Sequence, residues 1–99
     1  ADMETALEAS RTLLYAAAQA MDAGRGDVAT QCAMAKRFVT DACFDVANDA
    51  LQIHGGYGYL AVYGVERIVR DLRVHQILEG TNEIMRLMIA RTQRDRFPD

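Results

Sequence analysis

The stretch VATQCAMAKRFVTDACFDVANDALQIH, residues 28–54, carries the strongest structural signal in this sequence. Its small apolar side chains recur at alternating spacings of four and three residues: Val28, Cys32, Ala35, Val39, Ala42 and Val46. This spacing is typical of the seam of a helical bundle. Met34, Phe38 and Leu51 form a second apolar face. The pattern therefore predicts a long helix that is central to a bundle, or that lies between a bundle and a neighbouring subunit.

Another amphipathic helix is predicted before this segment. Residues 2–23 hold a helical stripe of large apolar side chains at Met3, Leu7, Leu14 and Met21. Gly24 and Gly26 are expected to end that helix in a short turn. Asp27 is a suitable N-cap for the central helix, because a short acidic side chain accepts from free backbone N–H groups.

The pattern after the central helix predicts two further helices. Gly55 and Gly56 should stop the central helix at about His54, and residues 55–63 are expected to form a glycine- and tyrosine-rich loop. Residues 64–77 have a helical period, and a last helix is expected from Thr81, with Ile84, Leu87, Met88 and Arg91 at helical spacing. With one proline and no alternating strand pattern, the fold class is predicted to be an all-α, up-and-down helical bundle.

The bulk composition narrows the class of protein. A length of 99 residues fits one small domain or part of a larger one, and a 51% apolar content allows a core. A net charge of -3 gives no sign of a nucleic-acid surface, so no nucleic-acid partner is predicted. No run is long and apolar enough for a membrane span.

The cysteines point to a reducing compartment. Cys32 and Cys43 are separated by about 16 Å of rise on one helix, whereas the Cα atoms of a disulfide lie within about 7 Å. Free thiols are typical of reducing compartments. The two histidines, His54 and His75, have no ligand-like spacing relative to the cysteines, so no metal site is predicted.

Glu79 is the candidate catalytic residue. It follows the apolar pair Ile77 and Leu78 and precedes Gly80, at the expected mouth of the last helix. In an apolar pocket, desolvation raises the pKa of a glutamate toward general-base strength. The alternative is a structural role, in which Glu79 is a surface glutamate stabilised by the helix dipole. Local chemistry alone favours this structural role.

Two further segments are candidate binding elements. The residues Gln52, Ile53, His54, Gly55 and Gly56 end the central helix, where glycines expose backbone N–H groups to a phosphate-bearing ligand. The residues Thr81, Asn82 and Glu83 open the last helix, where free N–H groups favour anions or polar cofactor edges. For both segments, simple helix capping is the alternative, and spacing alone favours it for the first.

Three segments in one order resemble a known family. They are LQIHGGYGY (51–59), VERIVRDLRVHQILEGTNEIMR (65–86) and IAR (89–91), and they resemble the C-terminal helical domain of the acyl-CoA dehydrogenases. Residues 1–24 also resemble the first helices of that bundle. The sequence around Glu79 resembles most the isobutyryl-CoA branch of the family. A glutamate at position 79 argues against the isovaleryl and long-chain types.

The resemblance implies a role for each candidate residue. Glu79 would remove the pro-R α-proton of a short or branched acyl-CoA thioester, while FAD accepts the β-hydride through its N5, giving a trans-2-enoyl-CoA. Gly80 would contact the substrate thioester, and Arg91 would lie near the CoA part. Thr81, Asn82 and Glu83 would contact FAD. Gln52, Ile53, His54, Gly55 and Gly56 would reach the FAD of a neighbouring subunit.

The resemblance also implies partners and a context. The intact family members are usually tetramers, and the expected electron acceptor is the electron-transferring flavoprotein. The expected location is the cytoplasm of a bacterium or the mitochondrial matrix of a eukaryote. Members carry an N-terminal helical domain, a middle β domain and a first bundle helix with a flavin-phosphate arginine, none of which is recognisable in residues 1–99.

We therefore expect residues 1–99 to be a partial C-terminal bundle domain. Its first residues already follow an amphipathic helical pattern, which is expected of a piece excised from a longer protein. Such a piece should bind FAD weakly and be inactive alone. Two other functions remain open: a free-standing helical interaction or oligomerisation module, and an acyl-CoA oxidase of the same fold.

Overall fold

The computed structural model describes residues 1–99 and contains only helices, turns and irregular segments. The elements in chain order are α1 (Asp2–Asp22), α2 (Val28–His54), α3 (Gly56–Tyr59), a 3₁₀ turn (Ala61–Tyr63), α4 (Val65–His75) and α5 (Asn82–Arg96). The predicted all-α fold class is confirmed. None of the helices combines the length and the hydropathy that crossing a membrane requires.

Helix α2 is the axis of the structure. It is 27 residues long, and it is the one helix that packs against α1, α4 and α5 alike. Helix α1 lies against α2 alone, so the chain is an elongated bundle of 52 × 23 × 23 Å. The prediction of a helix central to a bundle is confirmed. Cys32 and Cys43 both lie on this helix as free thiols.

The buried contacts are made mainly by alanine. Only nine residues are buried, and five of them are Ala17, Ala20, Ala33, Ala35 and Ala47. Small side chains let helix backbones approach closely, but each removes little apolar surface from water. Because the contact between the helices is narrow, much of the surface of each helix is exposed.

The apolar stripe predicted for α1 is only partly buried. Its seam is centred on Ser10, Ala17 and Ala20, whereas Leu14 is 48% exposed and Met21 is 58% exposed. These two side chains border an open groove of about 380 Å³ between α1 and α2. The physical reason is that one partner helix covers only a narrow strip of α1.

The helices end where the sequence predicts, but the predicted capping hydrogen bond at Asp27 does not form. Asp27 stands at the N-cap of α2, yet its side chain caps no backbone N–H. Its carboxylate instead accepts from Gln31 at 3.2 Å and from Arg25 at 2.9 Å. These hydrogen bonds, the one from Gln31 first, hold the pKa of Asp27 below its ordinary value.

The segment expected to be a loop after α2 is largely helical. Gly55 breaks α2 with a φ of 65°, and the chain then forms α3 and the 3₁₀ turn. Gly58 is buried because α3 folds back on α2: a Cβ there would lie 2.5 Å from the carbonyl oxygen of Leu51. The rings of Tyr57 and Tyr63 pack with centroids 5.2 Å apart. The two tyrosines thus hold α3 against the 3₁₀ turn. The glycine content of this segment did not predict that packing.

Candidate functional site

The turn between α4 and α5 carries Glu79 in an unusual backbone conformation. Glu79 has a φ of 60° and is the only non-glycine residue with a positive φ, and Gly80 follows it at 93°. A residue with a Cβ pays a steric penalty in this left-handed region, whereas glycine does not. Thr81 then starts α5 as predicted, because its Oγ1 accepts from the N–H of Ile84 at 3.3 Å.

The Glu79 carboxylate is exposed and forms no hydrogen bond or ion pair. The apolar neighbours expected to make a pocket around it are themselves open: Ile77 is 52% exposed, Leu78 is 38% exposed and Ile84 is 47% exposed. Within residues 1–99, the apolar surface beside Glu79 therefore has no lid. It is a free carboxylate on an open apolar face.

Unbonded backbone donors lie in the same turn as this carboxylate. The N–H groups of Glu79, Gly80 and Thr81 form no hydrogen bond within the chain, because they lie between the last bonds of α4 and the first bonds of α5. Consecutive free N–H groups beside a helix start are suited to hold a carbonyl oxygen or an anion. The turn thus offers a proton acceptor and hydrogen-bond donors side by side.

A polar network connects this turn to the middle of α2. The ammonium of Lys36 donates to the carbonyl oxygen of Gly80 at 2.8 Å and to Oδ1 of Asn82 at 2.7 Å. The side-chain amide of Asn82 donates to Thr40 at 2.9 Å and to Asp41 at 2.7 Å. The network thereby crosses from the centre of one helix to the start of another.

The carboxylate of Asp41 also binds Gln76, the first residue of the turn. Gln76 donates from its side chain to Asp41 at 2.9 Å, and its carbonyl oxygen accepts from the N–H of Asn82 at 3.0 Å. Arg37 and Arg86 pair with the other Asp41 oxygen at 3.7 and 3.4 Å. The two ends of the turn are therefore tied to each other and to α2.

Lys36, Thr40, Asp41 and Gln76 were not predicted to be site residues. Three of them, Lys36, Thr40 and Asp41, form a polar patch within a helix whose other interior faces are apolar. That interruption is the signal in the sequence that marks a buried polar contact. Nothing in the sequence pattern indicates that the contact is the Glu79 turn.

The three candidate residues at the start of α5 differ in availability. Asn82 is 3% exposed, and its side chain is fully used by the network described above. Thr81 is half-buried, with its hydroxyl bonded to the helix start. The Glu83 side chain is 80% exposed. Contact of this segment with a cofactor stays a prediction, and for Asn82 both the side chain and the backbone N–H are already bonded within the chain.

The second candidate segment, residues 52–56, lies at the far end of α2. Gln52 follows Thr40 by twelve residues, which is about 18 Å of helix rise from the network. Ile53 is 71% exposed, His54 bonds through Nδ1 to the carbonyl oxygen of Ala50 at 2.7 Å, and Gly55 has open space on its Cβ side. One chain thus does not bring this segment to Glu79.

Arg91 also stands apart from the turn. It is exposed, forms no ion pair, and follows Asn82 by nine residues, about 14 Å along α5. The neighbouring hydroxyls of Thr92 and Thr30 lie 2.9 Å apart and fix this part of α5 on α2. The guanidinium is therefore free for a ligand that reaches well beyond Glu79.

The charges of α4 are paired on its outer surface. Glu66 accepts from Arg70 at 2.8 Å, and this hydrogen bond is the main cause that holds the pKa of Glu66 below its ordinary value and raises the pKa of Arg70. No group of three histidine, cysteine, aspartate or glutamate side chains is arranged to hold a metal ion.

Comparison with known proteins assigns this architecture. Residues 1–93 match the family model for the C-terminal domain of acyl-CoA dehydrogenase. The chain is 55% identical over 92 residues to the mitochondrial isobutyryl-CoA dehydrogenase of Bos taurus, covering 93% of this chain and 22% of that protein. The chain therefore spans about a fifth of the length of this relative.

Solved structures share the fold. The butyryl-CoA dehydrogenase of Megasphaera elsdenii superposes with a TM-score of 0.89 at 39% identity, over 93% of this chain and 24% of that one. The FAD complex of PigA superposes with a TM-score of 0.89 at 31% identity, over 97% of this chain and 25% of that one.

Proposed function

Because this chain belongs to the acyl-CoA dehydrogenase family, we propose that it is the C-terminal helical part of an intact flavin-dependent acyl-CoA dehydrogenase. Residues 1–99 form the partial bundle domain of that enzyme. Its reaction is the α,β-dehydrogenation of a short or branched acyl-CoA to the 2-enoyl-CoA. The similarity to a bovine enzyme named for isobutyryl-CoA supports a small branched acyl group.

The observation that carries this proposal is the unpartnered carboxylate of Glu79 on the left-handed turn before α5. A carboxylate held by no other side chain is free to take a proton from a bound substrate. The backbone N–H groups of Glu79, Gly80 and Thr81 are available beside it, since none of them bonds within the chain. These donors would hold the thioester carbonyl and stabilise the charge that develops there when the α-proton leaves.

The residues present fit the edges of an FAD rather than a whole FAD site. The start of α5 offers free N–H groups and the exposed Glu83, and residues 52–56 offer backbone that a ligand can approach because Gly55 and Gly56 have open Cβ space. When bound, FAD would supply the acceptor for the β-hydride. About 18 Å of α2 separates the two segments, so we propose that they serve the FAD of two different subunits of a tetramer.

The open apolar faces support further protein around this bundle. Leu78 and Ile84 beside the turn, and Ile53 and Tyr59 at the far end of α2, are each at least 38% exposed. Large apolar surface left open on a stable protein is usually covered by a partner. We propose that the rest of the dehydrogenase covers the turn and excludes water from Glu79, that neighbouring subunits cover the end of α2, and that an electron-transferring flavoprotein reoxidises the enzyme.

The decisive experiment compares Glu79 with Glu4, an exposed glutamate on α1 that lies outside the proposed site. In the intact enzyme, Glu79→Gln should lower the rate of flavin reduction by isobutyryl-CoA by at least about 10²-fold, because a positioned base contributes roughly 10²–10⁴. Glu4→Gln, which changes an exposed carboxylate of α1 without an ion pair, should keep most of the activity. Normal turnover by Glu79→Gln with full FAD content would refute the assignment of the base.

A further inference from the structure

We propose that Lys36 is a positioning residue for Glu79: its ammonium holds the backbone of the Glu79–Gly80 turn in the conformation that presents the carboxylate. The inference rests on the proposed role of Glu79 as base. The contact on which it stands is the 2.8 Å hydrogen bond from Nζ of Lys36 to the carbonyl oxygen of Gly80.

The turn needs an external restraint. Glu79 has a φ of 60°, and Gly80 has a φ of 93°. A non-glycine residue keeps such a conformation only when its surroundings impose it, and such residues cluster at functional sites. The bond from Lys36 is the only hydrogen bond within the chain that involves either Glu79 or Gly80. If that bond is lost, Glu79 is free to relax toward an ordinary backbone conformation.

The chemistry of lysine suits this position. Nζ reaches two oxygens at once, the Gly80 carbonyl at 2.8 Å and Oδ1 of Asn82 at 2.7 Å. Both acceptors are uncharged carbonyls, and a charged donor makes shorter and stronger hydrogen bonds to them than a neutral donor does. Lys36 is the only lysine in a chain with ten arginines. A compact ammonium satisfies two separately oriented carbonyls, whereas the planar fork of arginine matches carboxylates.

The other hydrogen bonds of the turn do not restrain the backbone of Glu79 and Gly80. The neck of the turn is closed by the bond from the Asn82 N–H to the Gln76 carbonyl oxygen, at 3.0 Å, and by the bonds of both side chains to Asp41. These bonds set where the turn begins and ends. They do not touch the two residues at its tip, so the orientation of the Gly80–Thr81 peptide, and through it the backbone of Gly80 next to Glu79, is held by Lys36.

The test uses the intact enzyme with Lys36→Met, which keeps the length of the side chain and removes its donors. Arg94→Met is the control, since Arg94 lies on the exposed end of α5 with 77% of its side chain in solvent. We expect the maximal rate of flavin reduction by isobutyryl-CoA to fall about 10- to 100-fold, with KM and FAD content nearly unchanged, because misplacing a reacting group by about 1 Å has effects of this size. Lys36→Arg should lie between the wild type and Lys36→Met.

Hydrogen exchange gives a readout that does not depend on turnover. In Lys36→Met, amides of residues 77–84 should exchange faster, while those of α1 keep their wild-type rates. A folded, FAD-loaded variant with wild-type reduction rates and wild-type exchange overturns the proposal, and so does a global rise in exchange with loss of FAD. If Lys36→Met does not fold, Lys36→Arg is judged by the same two criteria.

A double substitution separates this inference from the assignment of the base. In a Glu79→Gln background there is no base to position, so adding Lys36→Met should lower the residual rate much less than it lowers the wild-type rate, whereas a general structural role would lower both rates by the same factor. If Glu79→Gln alone keeps full turnover, the proposed function fails, and hydrogen exchange still decides whether Lys36 holds the turn.

Discussion

The side-chain amide of Asn82 lies 2.7 Å from Oδ1 of Asp41, and this hydrogen bond joins positions 41 residues apart. Through it, the first residue of α5 is anchored to the middle of α2. Asn82 is one of only two buried polar side chains, and it bonds four partners at once: Lys36, Arg37, Thr40 and Asp41. The contact between the middle of α2 and the start of α5 is therefore polar.

Replacement of Asn82 by alanine should destabilise the protein markedly. The substitution leaves the ammonium of Lys36 and the carboxylate of Asp41 without one partner each in a partly buried site, which costs about 1–3 kcal/mol or more for charged groups. Urea unfolding of the intact protein followed by circular dichroism measures the loss. Asn48→Ala, at an exposed position of α2 without side-chain hydrogen bonds, is the control. Equal losses for the two variants would contradict the role of the network.

Gly58 and Gly56 should respond differently to alanine. At Gly58 a Cβ would lie 2.5 Å from the backbone carbonyl oxygen of Leu51, and backbone cannot move aside as a flexible side chain does. We expect Gly58→Ala to lower the free energy of unfolding by about 1–3 kcal/mol. Gly56→Ala meets no atom within 4 Å and should be neutral or slightly stabilising. Thermal unfolding of both variants tests the comparison, and similar melting temperatures would speak against close packing of α3 on α2.

Glu79→Gly should separate stability from activity. Glycine adopts a φ of 60° without steric penalty, so the substitution should leave the free energy of unfolding unchanged or raise it by up to about 1 kcal/mol, after the greater entropy of glycine in the unfolded chain is allowed for. Turnover should be lost because the proposed base is gone.

The control for Glu79→Gly is Glu83→Gly in the first turn of α5. It should lose about 0.5–1 kcal/mol, since glycine weakens a helix. Chemical denaturation gives both numbers, and a clear destabilisation by Glu79→Gly would argue that Glu79 is not held against its backbone preference.

The ion pair of α4 predicts a pH dependence with a definite sign. Arg70 lowers the pKa of Glu66 below 4.5, its ordinary value, so the folded protein keeps the ionised form to lower pH than the unfolded chain does. The contribution of the pair is fully present above that value and is lost as the pH falls through the lowered folded pKa.

Glu66→Gln should therefore be less stable than the wild type near pH 7, and this difference should shrink as the pH falls below about 4.5. Acid titrations by circular dichroism follow it, with Glu4→Gln as the control at an exposed carboxylate without an ion pair. A difference that grows toward low pH would have the wrong sign.

The helices were predictable because their apolar periodicity and their glycine and threonine boundaries are local properties. The ends of α2 at Asp27 and His54 and the start of α5 at Thr81 agree with the structure for this reason. The fold of residues 55–63 was not predictable, because the packing of Gly58 against Leu51 depends on how the chain turns back. The open side of α1 was missed because periodicity predicts which face is apolar, not how much of it a partner covers.

The candidate site also contains residues that could be predicted from the sequence and residues that could not. Glu79 was identifiable because EGT sits within a longer resemblance, whereas its backbone strain appears only in three dimensions. Lys36 was missed because 44 residues separate it from Gly80, and no sequence period connects a mid-helix lysine to a distant carbonyl. The polar side chains of Lys36, Thr40 and Asp41 between apolar faces of α2 are nevertheless a visible sign that this helix contacts a polar partner.

The distance of about 18 Å along α2 between the turn network and residues 52–56 has a genetic consequence. If one chain serves two active sites, a lesion in Glu79 and a lesion in Gly55 damage different sites when they lie on different subunits. Mixed oligomers of Glu79→Gln and Gly55→Val chains would then contain some sites with an intact base and an intact neighbouring segment. Two inactive alleles should therefore complement each other when they are co-expressed, and two alleles of the same segment should not.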